Sequence, residues 1–566
     1  MAYQRRPLSA PRAAGAFIRM LTPMVEHPPL GGLLSAQLIA QAGVKALRRI
    51  PVSEPLPFDV PDLLPAPAPR RADGDALVAA AARLPGAAPG GFAFESAFAL
   101  QRAFAEGATD PVRVGEQALA WMEEDRFRKP PLGIFVSVRP EEVRSQARES
   151  LDRLRSGQAR SPLEGVPVAV KDELDVRGHR TRVGTSFLGE TPAAEDAAAV
   201  AALRRAGAVI LGKVNMHEIG IGVTGINPHF GPARNPYDPE RFTGGSSSGP
   251  AAAVAAGLCP IAVGADGGGS IRIPAALCGV VGLKPTLGRV SEHGAAPLCW
   301  SVGHVGPLGA TAADAALAYA LMAGPDERDP RTLRQPEPSL EKCARPDLRG
   351  VRLGVYPEWF EDADPEIVAA CRGMLERFRE LGAEVRNIEI PELERVRPVH
   401  LVIIVSEMAA SQLEHRWRHR RRYGHDTRLN LALGHRLKAA DYVHALRLRA
   451  RICAHFARAL DGVDAIVTPA TACTADRIRP DALKTGDSNL PLLERIMRFA
   501  QAANLTGLPA ISFPAGYDGH GLPIGFQAMG RPFGEDLLLR LASQAERVLE
   551  RRAPVVHHAY LTGSRA

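Results

Sequence analysis

Between residues 166 and 549 this chain alternates short, mostly apolar runs with longer amphipathic stretches. Val166–Val170, Ala208–Leu211, Pro260–Ala265, Val280–Leu283, Val351–Val355, Val385–Ile390, Ala465–Thr468, Ala510–Phe513 and Ile524–Ala528 are four to six residues long. Apolar runs of that length predict strands buried on both faces. Asp196–Arg205, Ile367–Leu381 and Glu535–Leu549 instead repeat their apolar positions at helical spacing. The alternation predicts an α/β fold, a largely parallel or mixed sheet covered by helices on both faces. Residues 73–158 read as a helical stretch, with Asp110-Pro111 and Pro140-Glu141-Glu142 as helix starts.

Residues 1–72 have a different pattern. Two short amphipathic segments, Phe17–Val25 and Leu30–Leu47, are separated by Pro28-Pro29, and a Pro-rich connector runs from Pro51 to Pro69. In the second segment Leu30, Leu33, Leu34 and Leu38 share one helical face. We therefore divide the chain into an N-terminal helical arm with its connector (1–72) and one large domain (73–566). The arm packs on its own domain or a partner subunit, or it presents an apolar surface to a membrane or substrate.

Composition narrows the function classes. With 46% hydrophobic and 23% charged residues the chain is an ordinary globular one, not a disordered one. A net charge of +7 is small for 566 residues, and nucleic-acid binding would need it gathered on one face. Arg416, Arg418, Arg420, Arg421 and Arg422, with His415, His419 and His425 nearby, form the one basic cluster. It reads as a solvated helix end, with contact to anionic lipid headgroups as the alternative, and no nucleic-acid partner is expected. The seven cysteines are scattered without a CxxC pair, which suggests neither a disulfide framework nor a zinc site and fits a reducing, cytoplasmic setting. No apolar stretch is long enough to span a bilayer.

The candidate chemistry lies in three tracts: Gly165–Asp172, Gly244-Gly245-Ser246-Ser247-Ser248-Gly249, and Asp266-Gly267-Gly268-Gly269-Ser270-Ile271-Arg272-Ile273-Pro274. Ser270 follows three glycines, so the backbone N–H groups of Gly267, Gly268, Gly269 and Ser270 can converge on one point as an oxyanion hole. No histidine stands in either serine tract. Lys171, closing an apolar strand, is the alternative base, and Ser246 is placed to relay the proton to it. Three rival motifs fail. Gly245–Gly249 matches G-x-S-x-G, but Asn235–Arg241 before it reads as loop rather than the strand a nucleophile elbow needs. Gly207–Lys213 has the strand-like filling Ala-Val-Ile-Leu and Val214 in place of a phosphate-loop hydroxyl, and His217-Glu218 lacks the second histidine of a zinc motif. No metal and no cofactor is expected.

At these residues the chain resembles the amidase signature family. The likeness is carried by Gly244–Ser247, Asp266–Ala275, Cys278 and Gly282-Leu283-Lys284-Pro285-Thr286, with Ser246 and Ser270 24 positions apart. It implies an amidase-signature fold, a large mixed twisted β-sheet covered by helices on both faces with a helical N-terminal extension. It also implies a catalytic triad of Lys171 as base, Ser246 as bridging serine after a cis peptide, and Ser270 as nucleophile. Within the family the chain looks most like the plant-type fatty acid amide hydrolases, through Lys129-Pro130-Pro131, Gly212–Glu218, Trp359-Phe360, Ala502–Pro509 and Gly521–Gly525. That likeness implies hydrolysis of N-acylethanolamine-like lipid amides, a homodimer, and peripheral membrane contact through the arm. Two other readings share the core: a short-chain or aryl-amide amidase, and the amidase subunit of a tRNA-dependent amidotransferase. A catalytically silent binding protein would have no need of Lys171, Ser246 and Ser270 together.

Overall fold

The computed structural model describes Tyr3 and residues 11–27, 30–54, 74–84, 88 and 90–561. Most of the Pro-rich connector, residues 55–69, therefore lies outside the described residues. One eleven-stranded sheet organises the rest. In chain order its strands are β1 (Phe135–Ser137), β2 (Pro167–Lys171), β3 (Val209–Val214), β4 (Ile261–Ala265), β5 (Val281–Lys284), β6 (Val305–Gly309), β7 (Arg352–Val355), β8 (Glu384–Asn387), β9 (Ala465–Pro469), β10 (Ala510–Tyr517) and β11 (Pro523–Gly530). In space they run β8-β7-β9-β11-β10-β5-β6-β4-β2-β3-β1. The sheet is mixed. β2 lies parallel to both β3 and β4, and β7 parallel to both β8 and β9. The strands between these two parallel groups are antiparallel.

All nine predicted strands are present, and β2, β4 and β9 are buried along their whole length. Two strands escape the sequence pattern. β1 interrupts the stretch read as helical at 73–158, forming the sheet edge and pairing antiparallel with β3. β6 carries Val-Gly-Pro-Leu-Gly, and its Gly and Pro mask a central strand that pairs Val263 with Pro307. The segment before Gly244 also differs from its reading as loop: Arg234–Asn235 and Asp238–Phe242 form a small antiparallel hairpin. That hairpin lies outside the main sheet, so the strand–elbow arrangement is still missing. Both predicted helix starts are found, Asp110 accepting the Arg113 N–H as N-cap and Pro140 opening its helix at the first turn.

Helices cover both faces of the sheet. Gly525 and Gly530 are five positions apart on β11 and so face opposite ways. Gly530 faces Leu538 of the Glu535–Val548 helix, whereas Gly525 faces Ala276 of the Arg272–Leu277 helix. On the first of these faces Phe513 and Phe526 stack at 5.5 Å, with Phe378 edge-on to Phe526 at 5.8 Å.

In the arm, Ile18, Thr22 and Val25 of the Gly15–Glu26 helix are buried, and the helix packs on His425–Gly434. Its outer face exposes Phe17, Met20 and Met24. The second arm helix, Leu30–Gln41, does not bury its whole leucine face: Leu34 packs inward while Leu33 is 77% exposed.

The Arg272–Leu277 helix can lie close to the sheet because the strand residues beneath it are glycines. A Cβ on Gly282 would sit 2.6 Å from the Ala275 methyl, and one on Gly525 would overlap the Ala276 methyl and reach 2.8 Å from its Cα. Gly525→Ala is therefore expected to destabilise the protein by about 1–3 kcal/mol through overpacking, read as a lower midpoint in urea unfolding.

Candidate active site

Two parallel strands set the site. β2 and β4 are paired with Val170 opposite Val263, so both end at the same edge of the sheet. Lys171 is the last residue of β2, and Asp266 follows the last residue of β4. Carboxyl ends of parallel strands are where chain reversal leaves a crevice. Into it the Lys171 Nζ donates to Ser246 Oγ at 2.9 Å and to the Ala265 carbonyl at 3.2 Å. Nζ also lies 2.7 Å from Glu173 Oε2. The Gly245–Ser246 peptide is cis. Ser247 closes the arrangement, its hydroxyl donating to the Ala265 carbonyl at 3.1 Å and its N–H to the Ser270 carbonyl at 3.2 Å. Lys171 and Ser246 are thus in direct contact, and Ser270 is joined to them through the backbone of Ser247. Glycine is required at 244, where φ is +78° and a Cβ would crowd Ile273 and Leu277.

The loop from Asp266 to Ser270 is fixed by a buried ion pair. Arg272 Nε donates to Asp266 Oδ2 at 3.0 Å, and both side chains are fully enclosed. Burial opposes ionisation of Asp266, but the Arg272 guanidinium overrides it and holds the carboxyl well below its ordinary range. The same guanidinium donates to Gln527 Oε1 at 2.6 Å, Asn504 Oδ1 at 2.5 Å and the Ala500 carbonyl at 2.8 Å.

Each peptide plane of the loop has its own restraint. Asn504 Nδ2 donates to the Asp266 carbonyl at 2.8 Å, His400 Nε2 to the Gly267 carbonyl at 2.7 Å, and the Ile273 N–H to the Gly269 carbonyl at 2.7 Å. A trans peptide carries its N–H opposite its C=O. The N–H groups of Gly267, Gly268 and Ser270 therefore each point away from the partner of the carbonyl in their own peptide plane. Gly269 departs from the sequence expectation of four convergent donors, because its N–H donates to Asp266 Oδ1 at 2.6 Å.

A cavity of about 30 Å³ borders the site, lined among others by Lys171, Ser246, Gly267, Glu292, Cys299 and His304. Burial pushes the Glu292 carboxyl up to about 7 and the Cys299 thiol well above its usual value, and lowers His304 well below its own. Glu173, Glu292, His400, Gln501 and Asn504 were not singled out from the sequence. Asn504 and Gln501 come from a helix more than two hundred positions beyond Asp266, and His400 sits in an otherwise apolar run. Only the spacing of Asp266 and Arg272 within one motif carried a signal. His217 Nε2 lies 3.2 Å from Asp426 Oδ2, and all seven cysteines are free thiols. In the basic cluster Arg420 pairs with Glu26 at 3.1 Å and Arg422 stacks over Phe187, while Arg418 and Arg421 are exposed.

Lys171 thus meets Ser246 beside a glycine loop, at the carboxyl ends of parallel strands in a mixed sheet clad in helices. Residues 126–539 match the family described as Amidase, and the chain belongs to that family. It is an amide-hydrolysing enzyme. Among its relatives, a fatty acid amide hydrolase of Oryza sativa subsp. japonica is 38% identical over 99% of this chain and 96% of its own length. A glutamyl-tRNA(Gln) amidotransferase subunit of Symbiobacterium thermophilum is 36% identical over 80% of this chain and 96% of its own. Among solved structures, native peptide amidase from Stenotrophomonas maltophilia superposes with a TM-score of 0.70 at 28% identity, covering 81% of this chain and 98% of its own.

Arg272→Met leaves Asp266 buried without its counter-charge. The expected loss is about 3–5 kcal/mol of stability, measured by denaturant unfolding. Glu292 binds its proton more tightly folded than unfolded, since its value rises from the ordinary 4.5 to about 7. The stability it contributes is present below 4.5 and lost as pH rises through 7. Glu292→Gln is thus expected to gain Tm relative to the parent between pH 5 and pH 8.

Proposed function

We propose that the protein hydrolyses fatty acid amides of the N-acylethanolamine type through a Ser270–Ser246–Lys171 triad and an acyl-enzyme. The observation that carries the chemistry is the 2.9 Å contact from Lys171 Nζ to Ser246 Oγ beside the glycine loop. Lys171 takes the Ser270 proton through Ser246 as Ser270 Oγ adds to the amide carbonyl carbon. The N–H groups of Gly267, Gly268 and Ser270 receive the oxyanion, Gly269 being engaged by Asp266. Glu173, 2.7 Å from Nζ, stabilises the ammonium so formed. Return of the proton to the amine nitrogen breaks the C–N bond, and water then cleaves the acyl-enzyme by the reverse relay, releasing the carboxylic acid and restoring Ser270.

The lipid preference rests on likeness to the Oryza sativa fatty acid amide hydrolase, which extends over the arm as well as the large domain. The arm also suggests peripheral membrane contact. Phe17, Met20 and Met24 lie along one helix face at 42%, 59% and 37% exposure, and Trp417 is 78% exposed beside the basic cluster that reaches the arm through Arg420 and Glu26. No helix among the described residues is long and apolar enough to cross a membrane. We infer a homodimer from the same likeness. A second reading, a general short-chain or aryl-amide amidase, draws on the small size of the 30 Å³ cavity at Lys171 and Ser246.

A series of N-acylethanolamines of increasing acyl length separates the two readings: kcat/KM rising with length supports the lipid amidase, and flat or falling values support the general one. Ser270→Ala is expected to lower kcat/KM by roughly 10⁴-fold or more, and Ser246→Ala by roughly 10²–10⁴-fold. Met20→Asp and Trp417→Asp should each reduce co-sedimentation with phosphatidylglycerol vesicles, and a solution mass of one chain would exclude the homodimer.

A further inference from the structure

We propose that His400, held in a single tautomer by Gln501, is a positioning residue of the oxyanion loop, acting through the Gly267 carbonyl on the Gly268 N–H. The inference rests on the reading of Ser270 as nucleophile and of the Gly267–Ser270 backbone as the oxyanion site.

His400 lies on the Val396–Ser411 helix within Val399-His400-Leu401-Val402-Ile403-Ile404 and is fully buried. An imidazole in such a run requires a partner for each nitrogen. Nε2 is 2.7 Å from the Gly267 oxygen, which can only accept, so Nε2 carries the proton. In the neutral ring Nδ1 is then an acceptor, and Gln501 Nε2 donates to it at 3.3 Å. Burial lowers the imidazole to about 4, so the ring is neutral at any ordinary assay pH. A backbone carbonyl and a side-chain amide thus select one tautomer between them.

The consequence falls on one peptide plane. The Gly267 carbonyl and the Gly268 N–H belong to the same rigid unit, so fixing one aims the other in the opposite direction, away from the 396–411 helix. The neighbouring planes are set differently. The Asp266 carbonyl is held by Asn504, itself part of the buried Arg272 network, and the Gly269 carbonyl is held by the first turn of the following helix. The 267–268 plane has glycine on both sides, with no Cβ to narrow its φ and ψ. Its restraint comes from His400. The two groups are also matched sterically: a Cβ on Gly268 would come 2.9 Å from His400 Cε1, so the imidazole in this position requires glycine at 268. A donor on the carbonyl also polarises the amide and strengthens its N–H as a donor in turn.

A donor aimed at the oxyanion acts in the transition state, so its loss lowers kcat and leaves KM nearly unchanged. The test compares wild type, His400→Phe, His400→Gln and Ser270→Ala. Each is assayed for kcat and KM on the N-acylethanolamine the wild type cleaves best, for labelling by a fluorophosphonate, and for Tm. His400→Phe, which keeps the ring volume and removes the donor, is expected to lower kcat by roughly 10–100-fold with KM changed by less than about threefold. His400→Gln, which restores an N–H donor, is expected to recover most of that loss. A folded His400→Phe with wild-type kcat would overturn the inference, as would equal losses in both variants. Should His400→Phe fail to fold, Gln501→Leu decides: it removes the donor that holds Nδ1, loosening the ring that bonds the Gly267 carbonyl while leaving the imidazole in place. A lowered kcat at constant KM supports the role, and an unchanged kcat removes it. Full activity and labelling in Ser270→Ala would instead refute the underlying assignment of the nucleophile, whatever the His400 variants do.

Discussion

The buried Asp266–Arg272 ion pair is the interaction on which the rest of the site depends. Two enclosed charges are tolerable only when every polar atom around them is satisfied, and a single missing partner leaves a charge in a low-dielectric interior. Here the pair draws in Asn504 and the Ala500 carbonyl from the segment at 500–506, and Gln527 from β11. Gln527 in turn donates to Thr468 Oγ1 on β9 and to the Phe499 carbonyl. The loop bearing Ser270 is thereby tied to the middle of the sheet and to a helix far along the chain. Asp266 also takes the Gly269 and Ile271 N–H groups, so the turn of the loop and the start of the helix after it form as one unit.

Small residues make that unit fit. The Ser248–Ala255 and Arg272–Leu277 helices are buried throughout, and they approach the sheet over Gly264, Gly282 and Gly525. Larger side chains would hold the helices off and move Ser247 and Ser270 away from Lys171. The sparse aromatic content of the chain therefore suits a core in which backbone proximity matters more than side-chain volume.

The electrostatics of the site are set by the enclosure of its polar groups. Lys171 meets a carboxylate in Glu173, and Glu292 nearby is raised by burial and paired with Arg331 at 3.2 Å. The same enclosure keeps the His304 and His400 rings neutral, so their contribution to the loop is as hydrogen-bonding groups rather than as charges.

The order of residues along the chain was enough to define most of the sheet and to nominate the candidate chemistry. Most of the nine strands were legible because strands buried on both faces are near-continuous apolar runs, the exposed edge strand β8 by its alternation instead, and Lys171, Ser246 and Ser270 were nominated because each sits in a short motif whose composition is unusual. β1 and β6 were not legible: an outer strand of three residues has little periodicity, and Val305–Gly309 is a strand only because β4 and β5 pair with it. In the arm, packing between elements selected which leucines turned inward, leaving Leu33 outside. The fold alone also brought His400, Gln501 and Asn504 to the Gly267 loop. A hydrogen bond needs two groups within about 3 Å, a condition set by the crossing of elements and not by neighbouring positions in the chain. The proposed nucleophile and base could therefore be read from the sequence, whereas the groups that aim them could be read only from the fold.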